Sequence, residues 1–385
     1  MSSKSISIVL SLGLWAVGTA QAQENIGGNK TVVQSPVVHE DNAVTIRLAA
    51  KTQGEVYVIG NWMSGGKEKL LRDSLGLYYT TPSLSSDLYM YNLEMDGVVV
   101  NDPLNVYIVR DVANTFNYFL TKGAQADFYQ IQDVPHGTVA KRWYDSPTLG
   151  MTRRMTVYTP AGYEQSEKAL PVLYLLHGMG GDEEAWATLG RATQILDNMI
   201  AQGKVKPMIV VMPNGHVSNA AAPGESAKGQ YPINFFTPDV GSGKMEESFM
   251  DIVQFVESNY RVKKEKSTRA IAGLSMGGSH TLFTSAYLNN HFDYVGLFSA
   301  AFRMNDKVQS PVFSNFEQNL AKQRDNGYKL YWIGMGKEDF LYKVGEDYRK
   351  RLDAIGMKYT YRESEGGHTW SNWRLYLTEF LPLLF

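Results

Sequence analysis

The segment 270–280 constrains the fold more than any other part of the chain. An apolar run, Ala270-Ile271-Ala272, leads into Gly273-Leu274-Ser275-Met276-Gly277 and then into a helical pattern. Gly-x-Ser-x-Gly at a strand-to-helix turn is typical of a nucleophile elbow, in which the serine hydroxyl stands clear of the sheet. Glycine is needed on both sides, because a Cβ there would meet neighbouring backbone. Free N–H groups at the helix start can stabilise negative charge that develops at the serine.

Strands and helices alternate around this elbow. Continuous apolar runs are typical of strands buried on both faces, and they occur at 171–176, 207–212, 270–274, 295–298 and 330–335. Amphipathic stretches predict helices at 184–202, 249–260, 313–324, 342–355 and 370–385. This alternation predicts a mostly parallel sheet with helices on both faces. Ligands of such sheets bind at the carboxyl ends of the strands, which is where Ser275 falls.

The front half of the chain has a different pattern. Short alternating strands within 36–120 are separated by turn signals such as Asp96-Gly97 and Asn101-Asp102-Pro103, which predicts a small antiparallel sandwich. The predicted organisation is a signal peptide at 1–22, a linker at 23–34, an immunoglobulin-like module at 35–125, a connector at 126–147 and an α/β domain at 148–385.

The first residues read as an export signal. Lys4 precedes an apolar run at 6–17, and Ala20-Gln21-Ala22 fits an A-x-A cleavage site, so the mature chain is expected to start at Gln23. A membrane anchor is the alternative, but an apolar run of about twelve residues is too short to span a bilayer. The absence of cysteine favours the bacterial periplasm or the medium beyond it.

Composition excludes several classes of function. The chain has no cysteine, which rules out disulfides, thiolate metal sites and cysteine nucleophiles. Its formal charge of −2 and the lack of a long basic run argue against nucleic-acid binding. A hydrophobic content of 44% is enough to build a sizeable core.

A serine becomes a useful nucleophile when a base takes its proton and an acid orients that base. Downstream of Ser275 and the nearby His280, the chain has His291 and His368. His368 lies in a glycine-rich loop between a predicted strand and the last predicted helix, and it is therefore the predicted base. His291 falls at a helix end and is expected to be a capping or surface residue.

The acid is expected between the serine and the base, just after a strand. Glu338 and Asp339 both follow the predicted strand 330–335, and Asp339 is favoured.

An oxyanion also needs two N–H donors. One is the N–H of Met276, directly after Ser275. The other is expected from the loop His177-Gly178-Met179-Gly180-Gly181, with Met179 preferred and Gly178 as the alternative. His177 is expected to hold this segment, residues 177–181, which we call the oxyanion loop.

These motifs resemble the esterase D family of α/β-hydrolases, specifically the bacterial feruloyl and acetyl-xylan esterases of carbohydrate esterase family 1. The resemblance covers the chain from about Trp143 onward and rests on segments 173–178, 211–215, 273–278, 336–340 and 366–370. The front module resembles the early-set immunoglobulin-like modules that precede these esterases and siderophore esterases, through segment 91–105. Such modules are similar to glycogen-type carbohydrate-binding domains, although the sequence offers no clear aromatic platform.

The resemblance implies an α/β-hydrolase that cleaves esters joining ferulate or acetate to plant polysaccharide. Ser275 would form an acyl-enzyme, His368 would transfer protons and Asp339 would orient His368, with no metal or cofactor. The implied partners are feruloylated or acetylated xylan oligosaccharides. Neither nucleic-acid binding nor membrane insertion is implied, and the oligomeric state is not predicted.

Four aromatic residues are predicted to contact the substrate. Trp186 follows the oxyanion loop, Phe235 and Phe236 lie in the long insert 219–244, and Trp370 follows His368. Because aromatic walls suit an aromatic acyl group, ferulate is favoured over acetate. The alternatives are an acetyl-xylan esterase, a siderophore esterase, an acyltransferase and a non-catalytic carbohydrate-binding protein.

Overall fold

A computed structural model of the chain describes residues 33–50, 52, 54–227, 239–302 and 308–385. The predicted signal peptide and most of the predicted linker lie outside these residues, so export of the chain stays a prediction. Within the described ranges, every helix is too short or too polar to cross a membrane.

The front of the chain forms two antiparallel sheets. Their strands are β1 (Val37–Val38), β2 (Val44–Leu48), β3 (Val56–Gly60), β4 (Glu68–Lys69), β5 (Leu71–Asp73), β6 (Gly76–Thr80), β7 (Leu88–Met95), β8 (Val98–Val100), β9 (Ile108–Asp111) and β10 (Asn114–Leu120). One sheet has the order β1-β2-β6-β5 and the other β4-β3-β7-β10-β9, with β8 paired to β7. This all-β region agrees with the predicted sandwich, and we call it the N-terminal module.

A buried amide organises one end of the N-terminal module. Asn117 on β10 is fully buried, accepts the N–H of Asp102 at 2.7 Å and donates to the carbonyl of Asn105 at 2.7 Å. The hydroxyl of Tyr91 donates to the Asp102 carboxylate at 2.7 Å. These bonds tie the predicted turn at residues 101–103 to two strands of the larger sheet.

The rest of the chain is built on one eight-stranded sheet. Its strands are β11 (Thr138–Ser146), β12 (Met151–Thr159), β13 (Val172–Leu176), β14 (Ile209–Pro213), β15 (Arg269–Leu274), β16 (Tyr294–Phe298), β17 (Leu330–Gly336) and β18 (Thr360–Ser364). The order is β11-β12-β14-β13-β15-β16-β17-β18. From β14 to β18 all neighbours are parallel, while β12 is antiparallel to both β11 and β14.

Strand β11 lies within the stretch 126–147 that was predicted to be a connector. It pairs with β12 over its whole length, so the large sheet begins at Thr138 rather than after residue 147. Its exposed and half-buried residues include Lys141, Arg142 and Asp145. An edge strand with one solvated face needs no continuous apolar run, and for that reason the sequence pattern did not reveal it.

Helices cover both faces of the large sheet, as predicted. The helices of the described residues are α1 (Ala124–Asp127), α2 (Ala185–Thr188), α3 (Ala192–Ala201), α4 (Lys244–Glu247), α5 (Phe249–Asn259), α6 (Met276–Tyr287), α7 (Pro311–Ser314), α8 (Phe316–Asn326), α9 (Tyr342–Ala354) and α10 (Trp370–Phe380). Buried residues of α5, α6, α8 and α9 pack on one face, and those of α3 and α10 on the other. Leu88 and Val109 of the N-terminal module belong to the second core.

We expect Asn117→Ala to destabilise the protein by about 2 kcal/mol or more. The substitution leaves the buried N–H of Asp102 and the carbonyl of Asn105 without their partner, and each such group costs roughly 1–3 kcal/mol. Urea unfolding followed by circular dichroism measures the loss. Asn114→Ala, an exposed amide on the same strand, is the matched control, and equal losses for the two variants would contradict the assignment.

Candidate active site

Ser275 lies at a strained turn between β15 and α6. Its backbone has φ 52° and ψ −115°, a positive φ that residues other than glycine rarely adopt. A Cβ added at Gly273 would lie 2.4 Å from the carbonyl oxygen of Gly277, and one added at Gly277 would lie 2.4 Å from the carbonyl oxygen of Leu176. The predicted steric requirement for both glycines is therefore confirmed.

The structure brings Ser275, His368 and Asp339 together in one hydrogen-bonded chain. Ser275 Oγ is 2.9 Å from His368 Nε2, and His368 Nδ1 is 3.0 and 2.9 Å from the two carboxylate oxygens of Asp339. Each residue follows a different parallel strand, namely β15, β17 and β18. Strands β17 and β18 are neighbours in the sheet, and one strand, β16, lies between β15 and β17. The carboxyl ends of all three strands therefore meet at one edge of the sheet.

Asp339 is held as a carboxylate although its side chain is buried. Burial alone would raise the pKa of Asp339, but hydrogen bonds from His368 and from the N–H of Leu341, at 2.8 Å, outweigh burial and lower it. A charged Asp339 can stabilise an imidazolium at His368. The carboxylate that bonds His368 Nδ1 is that of Asp339 and not that of Glu338, the alternative acid.

The oxyanion loop lies directly against the serine. A Cβ on Gly178 would be 3.3 Å from the Cβ of Ser275, so the loop backbone passes within reach of the hydroxyl. Met276 begins α6 and Met179 is half-buried in the loop. Met276 directly follows Ser275 and Met179 belongs to this loop, and the binding of an oxyanion by their N–H groups stays a prediction.

Hydrogen bonds of two buried histidines fix the position of the oxyanion loop. His177 Nε2 accepts the N–H of Gly215 at 2.8 Å, and His216 Nε2 accepts the N–H of Gly180 at 3.1 Å. His177 Nδ1 donates to the carbonyl of Gly178 at 2.8 Å. Both rings accept at Nε2, so both are neutral. Burial is the main cause that lowers the pKa of His177 to about 4 and that of His216 to about 3.

The remaining predicted histidines take structural places. His280 Nδ1 lies 2.7 Å from the Glu246 carboxylate, and both side chains are buried between α4 and α6. His291 is half-buried after α6, and its carbonyl accepts a bond from Arg269. Among the described residues, no group of three or more histidine or carboxylate side chains is placed to hold a metal ion.

The structure describes two of the four predicted substrate contacts, Trp186 and Trp370. Trp186 is 1% exposed, and its indole donates to the carbonyl of Leu176 while its ring packs edge-on against Trp370. It is a core residue with no surface for a ligand, which corrects the prediction that it contacts substrate. Trp370 is also largely buried, at 8% exposed. Phe235 and Phe236 lie outside the described residues.

One aromatic residue at the site was missed. Phe340 is 75% exposed, and its ring centroid lies 4.6 Å from that of His368. Trp373 also packs edge-on against this imidazole, with a ring-centroid distance of 4.9 Å. The only signal in the sequence was the place of Phe340 directly after Asp339, in the loop that follows β17.

Comparison with known proteins places the chain among esterases. The Esterase family model matches residues 146–384, well over half of the chain. The chain belongs to this family. The endo-1,4-beta-xylanase/feruloyl esterase of Xylanibacter ruminicola is 28% identical over 375 residues, which cover 93% of this chain and 47% of the relative. The chain thus spans about half the length of that relative.

Solved structures of esterases share the fold. A ferulic acid esterase from Anaeromyces mucronatus is 22% identical with a TM-score of 0.55, covering 67% of this chain and 94% of that one. The enterobactin esterase of Shigella flexneri is 15% identical with a TM-score of 0.62, covering 88% of this chain and 92% of that one. At these identities the likeness concerns the fold, and it confirms the predicted α/β-hydrolase architecture.

We expect the two neutral histidines to make the stability of the protein sensitive to acid. An unfolded histidine titrates near pH 6.5, whereas the folded pKa values of His177 and His216 are lowered to about 4 and about 3. Their contribution is therefore complete above pH 6.5 and is lost as pH falls towards 4, because the unfolded state binds protons first. For His177 alone this amounts to roughly 3 kcal/mol.

Urea unfolding between pH 7 and pH 4 measures the expected loss of stability. Nitrogen-15 NMR of labelled histidine provides the control, since the rings of His177 and His216 should stay neutral from pH 8 to pH 5. Titration of both rings between pH 7 and pH 6 would contradict the prediction.

Proposed function

We propose that the chain is a serine esterase that works through an acyl-enzyme on Ser275. The single observation that carries the proposal is the unbroken hydrogen-bonded chain from Ser275 through His368 to Asp339 at a strained nucleophile elbow. Membership of the esterase family supports the same reaction class. A purely carbohydrate-binding protein has no physical need for this arrangement.

The geometry suits two-step acyl transfer. His368 Nε2 takes the proton of Ser275 as the hydroxyl attacks the ester carbonyl, and the N–H groups of Met276 and Met179 stabilise the oxyanion in this proposal. His368 then donates its proton to the departing sugar hydroxyl. In the second step His368 activates water, which releases the acid and restores Ser275. Asp339 orients the imidazole and balances its charge in both steps.

We infer that the acyl group is ferulate and the alcohol part is arabinoxylan. The xylanase/feruloyl esterase relative is similar along 93% of this chain, including the N-terminal module. The exposed ring of Phe340 beside His368 offers a stacking surface to an aromatic acid, which acetate would not use. The predicted signal peptide fits a polymeric substrate, which an enzyme must meet outside the cell.

We expect Ser275→Ala to lower kcat by roughly 10⁴-fold or more, because the nucleophile is lost while the fold is kept. Release of ferulate from feruloylated arabinoxylan and of acetate from acetylated xylan should be measured side by side for both proteins. Ser285→Ala, the same chemical change within the helix α6 that follows Ser275, is the matched control and should retain activity. Its hydroxyl donates to the carbonyl of Leu282 within the same helix.

The products decide between the candidate functions. Ferulate release that disappears in Ser275→Ala supports the proposal. Acetate release alone keeps the mechanism and replaces the acyl group. Activity that survives in Ser275→Ala would overturn the mechanism itself, and a folded wild type that releases neither acid would favour a siderophore ester or a transferase acceptor.

Phe340→Ala should weaken the feruloyl ester selectively. Stacking of an aromatic pair contributes about 0.5–1.5 kcal/mol, so we expect kcat/KM for 4-nitrophenyl ferulate to fall by roughly 2- to 13-fold. The acetate ester of the same leaving group is the internal control and should change little. An equal fall for both esters would assign Phe340 to the support of His368 rather than to acyl recognition.

A further inference from the structure

The start of helix α10 is held by the N-terminal module. Ser371 donates a hydrogen bond to one carboxylate oxygen of Asp87, and Arg374 pairs with the other oxygen at 3.0 Å. Ser371 and Arg374 are three residues apart, so they lie on one face of the helix. Asp87 directly precedes β7, at the end of the module that faces the catalytic domain.

This contact is buried and its hydrogen bonds are specific. The Arg374 side chain is 1% exposed and that of Asp87 10%. Arg374 also donates to the carbonyl of Leu88 at 3.1 Å and to the carbonyl of Leu189 at 2.9 Å, and its guanidinium lies 5.1 Å from the centre of the Tyr129 ring. A buried guanidinium needs its carboxylate, because burial makes an unpaired charge costly.

A second link joins the module to the same helix turn. Val109 on β9 and Trp370 are buried in the same hydrophobic core. The neighbouring Arg110 pairs with Asp182, which follows the oxyanion loop. Residues of the N-terminal module therefore touch the segments that follow two parts of the proposed catalytic machinery.

The first turn of helix α10 packs directly against His368, the proposed base. Helix α10 begins two residues after His368. Trp373, in its first turn, bonds the carbonyl of Thr369 at 3.1 Å and packs its ring against the imidazole of His368. A shift of this turn would therefore move His368 relative to Ser275, and the 2.9 Å contact between them depends on that position.

We propose that Asp87 of the N-terminal module is a positioning residue for His368, acting through Ser371 and Arg374 at the start of α10. The module is thus part of the catalytic unit and not only a companion domain. This inference rests on the proposed role of His368 as the catalytic base. It concerns the rate of the chemical step and not the binding of substrate.

The test compares Asp87→Asn and Ser371→Ala with the wild type in the full chain. Asp87→Asn removes the charge that faces Arg374, while Ser371→Ala removes one hydrogen bond without unpairing any charge, so it remains informative if the first variant folds poorly. Asp73→Asn is the matched control, because Asp73 also pairs with an arginine, Arg47 at 2.8 Å, but within the module. Hydrolysis of 4-nitrophenyl acetate is measured, since this small ester needs no contact with the module.

We expect kcat per folded molecule to fall at least tenfold for Asp87→Asn and several-fold for Ser371→Ala, with KM changed less than threefold. Small displacements of a catalytic group are enough for losses of this size. Asp73→Asn should keep the wild-type kcat. In proton NMR, the low-field resonance of the His368 Nδ1–H proton bonded to Asp339 should shift or broaden in both test variants.

The outcomes separate this proposal from the proposed function. Wild-type kcat per folded molecule and an unchanged low-field resonance in both test variants would overturn the positioning role, even if their melting temperatures fall. A wild type that fails to cleave the ester, or a Ser275→Ala variant that still cleaves it, would instead overturn the proposed function. Loss of kcat in Asp73→Asn as well would also sink the proposal, because the effect would not be specific to the contact with α10.

Discussion

The close approach of helix α6 to the end of strand β13 is the contact on which the rest of the site depends. Gly277 sits against the carbonyl oxygens of Leu176 and His177, at distances that leave no room for a Cβ. Because β13 and β15 are paired with Leu176 opposite Gly273, this approach fixes the oxyanion loop beside Ser275 as well as the turn itself. One steric condition thus places both the nucleophile and the backbone that faces it.

The surrounding structure has to offset the strain that this turn stores. A positive φ at a serine costs of the order of 1–3 kcal/mol, and the loops around it carry buried polar groups that need partners. Glu183 meets this need by accepting bonds from Arg154 at 2.6 Å, from Asn214 at 2.9 Å and from the N–H of Ala222 at 2.9 Å. These bonds tie the segment after the oxyanion loop to the segment after β14. Neutral His177 and His216 add hydrogen bonds that fix the oxyanion loop. The loop is thus held by side chains that do not themselves take part in the proposed reaction.

Features that depend on a local sequence pattern were predictable, whereas those that depend on contacts between distant segments were not. The buried parallel strands and the order Ser275, Asp339, His368 were predictable, because Ser275 and Asp339 follow continuous apolar runs and His368 lies in a glycine-rich loop before the last helix. The segment 184–202 was predicted as one helix but forms two, since Arg191 adopts φ 51° and a Cβ at Gly190 would lie 2.5 Å from Trp186. The amphipathic spacing of the sequence does not indicate such a break. The exposure of Phe340 and the burial of Trp186 were likewise hidden, because both depend on which chain segments meet in three dimensions.

The N-terminal module and the α/β domain share a core, and this bears on what the module can do. Leu88 and Val109 are buried together with Trp370 and Trp373, and the Asn198 amide bonds the carbonyls of Asp127, Phe128 and Gln130, which fixes the segment between the two parts. A module on a flexible tether could only raise the local concentration of substrate. A module packed into the core next to His368 can also set the geometry of the site, as the proposed role of Asp87 requires. Substitutions at its buried face should therefore act on turnover, whereas those on its solvent face should not.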